Sequence, residues 1–274
     1  MKQFGIIGYP LGHSFSKKYF TEKFEKEGID ARYDMFPLES IEQFPALIAS
    51  QADLVGLNVT IPYKKAVIPY LDELSADAAA MGAVNVIRVE RSADKVRLVG
   101  HNSDFTGFRD SLEPLLDMLQ ERNESERWIV PGNYLAPGIP VFRPLQALIL
   151  GTGGASKAVA YSLQLLDIPY RWVSRQPGVI DGEEVLTYSQ LDANIMEECQ
   201  IIVNTTPLGM SPNVDTCADI PYHLLGRRHL LYDVVYNPEE TLFLKKGREA
   251  GSFTKNGLEM LYGQAVEAWR IWNE

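Results

Sequence analysis

The sequence predicts an α/β protein built as two domains on parallel sheets. Three observations predict it. Short apolar runs of strand length alternate with longer amphipathic runs along the chain. A glycine turn at 151–154 sits between one such strand and one such helix. An aperiodic stretch, 122–144, holds four prolines and parts the alternation into two series.

In the first series QFGIIG (3–8) reads as a buried strand. KKYFTEKFEKEG (17–28) reads as a helix, with Tyr19, Phe20 and Phe24 on one side and Gly28 as its stop. ARYDMFPL (31–38) is a second strand, with Tyr33 and Phe36 among its apolar positions. SIEQFPALIAS (40–50) reads as a helix broken or kinked at Pro45. DLVGLNVTI (53–61) is a third strand, 64–74 and 76–82 supply helical pieces, and 83–90 and 95–100 supply two further strands. DFTGFRDSLEPLLDMLQE (104–121) is a long helix. The 122–144 stretch reads as a loop, and its Trp128, Tyr134 and Phe142 predict that it packs. In the second series 145–151, 170–174, 199–206 and 229–236 are strands, and 154–167, 239–251 and 256–272 are helices.

Hydrophobic residues at 46% and charged residues at 23% are a globular composition and argue against disorder. A net charge of −10 argues against nucleic acid as a partner, but a cleft of local positive field can still take a small anion. Two cysteines outside any CxxC pair and four scattered histidines offer neither a disulfide framework nor metal-ligand spacing, so no metal is expected. No apolar run reaches the length of a membrane span, and the N-terminus lacks a signal-like apolar core. A cytoplasmic protein without membrane or nucleic-acid partners is the expectation.

LILGTGGASKAVA (148–160) places strand, glycine turn and helix start in the order of a Rossmann-like dinucleotide site. Gly151 and Gly153 match the first two glycines of GxGxxG, and Ser156 stands at the third. Glycines there let backbone approach a pyrophosphate, which the free N–H groups of the helix start can bind. Gly151, Gly153, Gly154 and Ala155 are therefore candidate cofactor contacts. The alternative is a tight turn without a ligand. An NAD site often carries an acid about twenty residues on, at the end of the next strand. Here that strand ends Ser174-Arg175, with no acid, and an arginine can pair with a 2′-phosphate. The two residues thus point to NADP, against the alternative of a solvated arginine at a strand end.

NVTIPYK (58–64) poses a different question. Strand alternation turns Asn58 and Thr60 to one side and Val59 and Ile61 to the other, and a lysine follows. This is either a solvated edge or a row of hydrogen-bonding groups for a polyhydroxy ligand with an acid–base group beside it. Ser14 and Ser16 read as caps of the helix expected from Lys17, or as hydroxyl donors for a carboxylate at a helix start. Asn85 alone reads as turn chemistry, and Asp104 alone as a helix cap.

Taken together the motifs HSxS, NVTxPxK, GAVN, NxD, GxGGAS, NTTPxGM and G(x)6Q fall in the order that resembles the shikimate dehydrogenase family, over nearly the whole chain. The resemblance implies reversible NADPH-dependent reduction of 3-dehydroshikimate to shikimate, a step of aromatic amino-acid (chorismate) biosynthesis. It implies a substrate and catalytic domain of residues 1–104 plus 237–274, with C-terminal helices returning to it, and an NADP-binding Rossmann-like domain of 105–236. Lys64 and Asp104 match the catalytic pair. Ser14 and Ser16 match carboxylate-binding serines; Asn58, Thr60, Asn85 and Gln264 match ring-hydroxyl positions; Tyr236 matches a tyrosine near the substrate. Asn204, Thr205 and Thr206 resemble the wall beside the nicotinamide, and Gly257 completes the cofactor set. The partner is a small molecule, shikimate or 3-dehydroshikimate, and the chain is expected as a monomer or homodimer.

Three departures stand out. Lys17 follows the serines where proline is common, Phe105 replaces the glycine of NTDG, and Arg175 lacks the flanking Asn and Thr usual in the family. Competing readings are an NAD-dependent quinate/shikimate dehydrogenase, a catalytically silent metabolite-binding relative, and a Rossmann enzyme of folate type. Retention of Lys64 and Asp104 disfavours the silent relative, and the HSFS and NVTIPYK motifs disfavour the folate enzyme.

Overall fold

The computed structural model describes residues 1–12, 14–92, 95–125 and 144–274. Most of the 122–144 stretch, and with it the packing expected of Trp128, Tyr134 and Phe142, lies outside the described residues. The chain divides into two compact units, Met1–Thr106 with Tyr262–Glu274, and Gly107–Leu261. The sequence reading put the return to the first domain at 237, whereas residues up to Leu261 group with the second unit.

The first unit contains β1 (Lys2–Gly8), α1 (Phe15–Glu27), β2 (Ala31–Pro37), α2 (Phe44–Ser50), β3 (Leu54–Val59), α3 (Tyr63–Ala66), β4 (Glu73–Leu74), α4 (Ala76–Met81), β5 (Val86–Arg91) and β6 (Val96–His101). Ser14 caps α1 by accepting from the Lys17 N–H at 3.3 Å, so the helix starts at Phe15 and not at Lys17. Gly28 closes it at φ 65°, a conformation that suits glycine. The helix expected over 40–50 is divided beside Pro45 into a 3-10 turn, Ile41–Gln43, and α2. Pro45 sits in the first turn of α2, where its missing N–H has no intrahelical partner to lose.

The six strands lie in the order β2-β1-β3-β5-β6-β4. β1 runs parallel to β2 and β3, but β5 is antiparallel to both β3 and β6. The expectation of a parallel sheet therefore fails at β5, whose two pairings are antiparallel, while β4 runs parallel to β6. Between Arg91 and Val96 there is no room for the crossover of about a dozen residues that parallel pairing needs. Alternation along β1 fills both faces. Phe4 and Ile6 join Phe20, Phe24, Ala265, Ala268 and Trp272, while Ile7 joins Phe44, Leu57, Val59 and Val67. Trp272 lies against Gly56 of β3, where an added Cβ would stand 2.5 Å from its indole, and its Nε1 donates to Ile87 O at 3.1 Å. A glycine in a strand interior is here the mark of close approach.

Next comes α5 (Asp104–Ser125), whose residues from Gly107 belong to the second unit. It runs four residues past its predicted end. The second unit continues with β7 (Ala147–Leu150), α6 (Gly154–Leu165), β8 (Tyr170–Ser174), β9 (Gly178–Ile180), β10 (Glu183–Thr187), α7 (Ala193–Glu198), β11 (Ile201–Asn204), β12 (Leu230–Asp233), α8 (Leu242–Glu249), β13 (Phe253–Lys255) and α9 (Leu258–Asn273), which extends into the first unit from Tyr262. Its seven strands lie in the order β13-β12-β11-β7-β8-β10-β9, parallel throughout except for the β10–β9 edge. Fully buried Leu148, Ile149 and Leu150 of β7 split between two cores, one with Phe108, Leu163 and Val203, the other with Leu231 and Phe243. The strands end at the glycine turn, Ser174, Asn204 and Asp233, so the second unit's candidate residues gather along its carboxyl edge.

Candidate active site

In the first unit Lys64 and Asp104 meet. Lys64 Nζ donates to Asp104 Oδ2 at 2.6 Å, with the lysine side chain 22% and the carboxylate 6% exposed. Asp104 is the first residue of α5, where a negative charge suits the helix dipole. Its carboxylate is aimed at chemistry-bearing partners. Asn85 Nδ2 donates to Asp104 Oδ1 at 2.9 Å and approaches Gln264 Oε1 at 3.5 Å. Four of the predicted residues thus come together from α3, the start of β5, α5 and α9. Asn85 is fixed in turn: its Oδ1 accepts from the Ser103 N–H at 2.7 Å, and Asn102 Oδ1 accepts from the Asp104 N–H at 2.9 Å. A partly exposed ammonium is therefore held beside a nearly buried carboxylate whose orientation is over-determined, an arrangement suited to proton transfer.

Asn58 and Thr60 are half-buried at the end of β3, and the Thr60 N–H donates to Ile7 O at 2.9 Å. Asn58 is joined to β2 by the Tyr33 hydroxyl, which donates to its Oδ1 at 2.7 Å. Burial pushes the Tyr33 phenol well above its usual pKa, and a side-chain hydrogen bond with Ser16 partly opposes this. Ser16 thus lies within the first turn of α1 and near Asn58 through Tyr33, while the capping role falls to Ser14. Lys17, in the place of the usual proline, turns its ammonium to Tyr33 O and lies 3.8 Å from Asp34. Phe105 is 7% exposed and therefore fills interior space.

In the second unit Gly151 adopts φ +105°, and a Cβ there would meet Thr205 Oγ1 and Thr206 Cγ2 at 2.9 Å. Gly153 and Gly154 have no atom within 4 Å of an added Cβ, and Gly153 caps α6 without a side-chain hydrogen bond. Open space above uncapped helix N–H groups fits a pyrophosphate. Ala155 follows in the first turn of α6. Thr205 Oγ1 donates to Leu150 O at 2.7 Å, so the NTT turn closes on the glycine turn. At the next strand end Ser174 is half-buried and Arg175 exposed, with Thr187 in register beside Ser174. Gly257 packs onto backbone: a Cβ would lie 2.2 Å from Val234 O, so the fold itself requires this glycine. Tyr236 is 41% exposed after β12.

Sequence reasoning overlooked Asp233. It is fully buried and accepts from Asn204 Nδ2 and the Val235 N–H, both at 3.0 Å, and from Thr241 Oγ1 at 2.6 Å. Asn204 Oδ1, oriented by that bond, accepts from the Thr206 N–H and hydroxyl at 3.1 and 2.7 Å. Burial raises the Asp233 carboxyl to about 6 despite these donors. The available signal was an acid inside the apolar run HLLYDVVY. Tyr33 and Ser103 were overlooked for the opposite reason, since each is unremarkable in its segment. No group of three or more His, Cys, Asp or Glu side chains that could hold a metal occurs among the described residues.

Residues 6–87 match the family model of the shikimate dehydrogenase substrate binding domain. The chain is 35% identical to a shikimate dehydrogenase (NADP(+)) of Clostridium beijerinckii, covering 100% of this chain and 93% of that protein. It is 32% identical to that of Caldicellulosiruptor saccharolyticus, over 99% of this chain and 92% of the relative. Among solved structures it resembles the shikimate 5-dehydrogenase of Thermus thermophilus in complex with NADP(H) and shikimate, with TM-score 0.75, 26% identity, and 99% and 93% of the two chains covered. With full-length identity above the level that fixes kinship, and with Lys64, Asn85, Asp104 and Gln264 assembled in one cluster, the chain belongs to the shikimate dehydrogenase family.

Proposed function

We propose that the protein is an NADP-dependent shikimate dehydrogenase, interconverting 3-dehydroshikimate and shikimate in aromatic amino-acid (chorismate) biosynthesis. The observation that carries this is the Lys64–Asp104 pair at 2.6 Å, bound on its far side by Asn85. Bound NADPH supplies the hydride, and the chain's residues do the rest. As the ketone is reduced, Lys64 delivers a proton to its oxygen, and in the reverse direction takes it from the hydroxyl. Asp104 holds the lysine and the substrate hydroxyl in place, so the coupled pair manages one proton. Ser14 and Ser16 receive the substrate carboxylate; Asn58, Thr60, Asn85 and Gln264 receive ring hydroxyls; and Tyr236 contacts the substrate. Gly151, Gly153, Gly154 and Ala155 take the pyrophosphate, Ser174 and Arg175 the 2′-phosphate, and Asn204, Thr205, Thr206 and Gly257 flank the nicotinamide.

The test is nicotinamide absorbance in four mixtures, shikimate or quinate with NADP or NAD. Reduction of NADP by shikimate alone is expected. Preferential turnover of quinate with NAD would overturn the assignment of both substrate and cofactor. Binding without turnover in every mixture would make the protein a silent relative.

A further inference from the structure

We propose that Tyr33 is a positioning residue that locks Asn58 into presenting its N–H, and not its carbonyl, to the substrate. The inference rests on the reading of Asn58 as a ring-hydroxyl contact. Tyr33 is 1% exposed in β2, and its ring stacks on Phe20 at 5.0 Å and 10°. A ring so held has one place for its hydroxyl, which donates to Asn58 Oδ1 at 2.7 Å. Burial keeps the phenol protonated, so this donor persists across the working pH range.

The amide end of Asn58 is bound much less firmly. Nδ2 reaches only Asn85 O, at 3.4 Å, and that carbonyl already accepts from the Val59 N–H at 2.8 Å. An asparagine has a donor end and an acceptor end, and a substrate hydroxyl can satisfy either. With its carbonyl turned to Tyr33, Asn58 offers the donor. A hydroxyl held through its oxygen must then direct its own hydrogen elsewhere, to an acceptor such as a carboxylate. Tyr33 therefore sets the polarity of one substrate hydrogen bond without touching the substrate.

The test is a double-mutant cycle on KM and kcat for shikimate with NADP, using Tyr33→Phe, Asn58→Ala and both together. Tyr33→Phe keeps the stacked ring. It is expected to raise KM for shikimate roughly five- to tenfold, with KM for NADP unchanged and kcat within about twofold. In the Asn58→Ala background the same change is expected to have almost no further effect. Equal effects of Tyr33→Phe in both backgrounds, or an unchanged shikimate KM, would overturn the proposal. Asn58→Asp supplies an arm that leaves Tyr33 in place: it keeps the Tyr33 bond but puts an oxygen where the N–H should be. It is expected to bind shikimate more weakly than Asn58→Ala, and binding as tight would again overturn the lock. Absence of shikimate turnover by the wild-type protein would instead refute the proposed reaction, a distinguishable result.

Discussion

Replacing Asp233 by asparagine keeps the shape of the side chain and removes its charge. In the folded protein burial raises this carboxyl from 3.8 to about 6, because hydrogen bonds from Thr241, Val235 and Asn204 only partly offset desolvation. A folded-state value above the unfolded one means that the native state holds the proton more tightly. Its stabilising effect is complete below about pH 4 and is lost as pH rises through about 6. At roughly 1.4 kcal/mol per pH unit, that interval corresponds to about 3 kcal/mol of stability lost between acid and neutral pH. An amide at this position cannot titrate, so the Asp233→Asn variant escapes this loss, although one amide hydrogen must now face the Thr241 hydroxyl. Urea unfolding of both proteins, followed by circular dichroism from pH 4 to 7.5, should show the variant gaining on the wild type by roughly 2–3 kcal/mol as pH rises. Parallel stability curves would refute the reasoning, since they would mean that Asp233 ionises as easily inside the fold as outside it.

Other substitutions probe the remaining parts. Lys64→Ala should cut turnover by roughly a hundredfold or more while leaving NADP binding by calorimetry nearly unchanged, and full turnover would remove Lys64 from the mechanism. Arg175→Ala should raise KM for NADP about tenfold or more without altering that for NAD; equal changes for both would dissociate Arg175 from the 2′-phosphate. Gly56→Ala drives a methyl to within 2.5 Å of Trp272, so the thermal midpoint should fall by an amount equivalent to about 1–3 kcal/mol, whereas an unchanged midpoint would show that the indole moves aside freely.

The parts most legible in the sequence were those with strong local signatures. The glycine turn was legible from the strand before it and the helix after it, and β7 and α6 flank it as expected. The long helices were visible because their periods run over several turns, and the central strands because they are unbroken apolar runs, as the all-buried β7, β11 and β12 show. β9 and β13, of three residues each, and α7, of six, are too short to display a period, and they went unpredicted. Strand direction was misjudged at β5, where the short connection to β6 enforces one antiparallel pairing that composition does not reveal. Singly, Asn85 reads as turn chemistry and Asp104 as a helix cap, and Lys64 closes a segment that could be a solvated edge. Only the joint order of motifs linked positions as far apart as 85 and 264, which no local pattern can connect. Tyr33 escaped notice because its importance lies in what it holds, a bond to Asn58 that leaves no trace in its own segment, whereas Asp233 was signalled by an acid inside an apolar run.

The indole of Trp272 seated on Gly56 has a consequence for biogenesis. During synthesis β1 to β6 emerge first, yet the face carrying Phe4 and Phe20 has to await Ala265, Ala268 and Trp272, which are translated only after Gly107–Leu261. A nascent chain ordinarily finishes its N-terminal domain first. Here the uninterrupted second unit can close around its own core while the earlier-made sheet still shows aromatic rings to the surrounding medium. For this protein the interval of greatest exposure to chaperones and to misassembly is therefore the one in which its first sheet waits for residues made after the second unit.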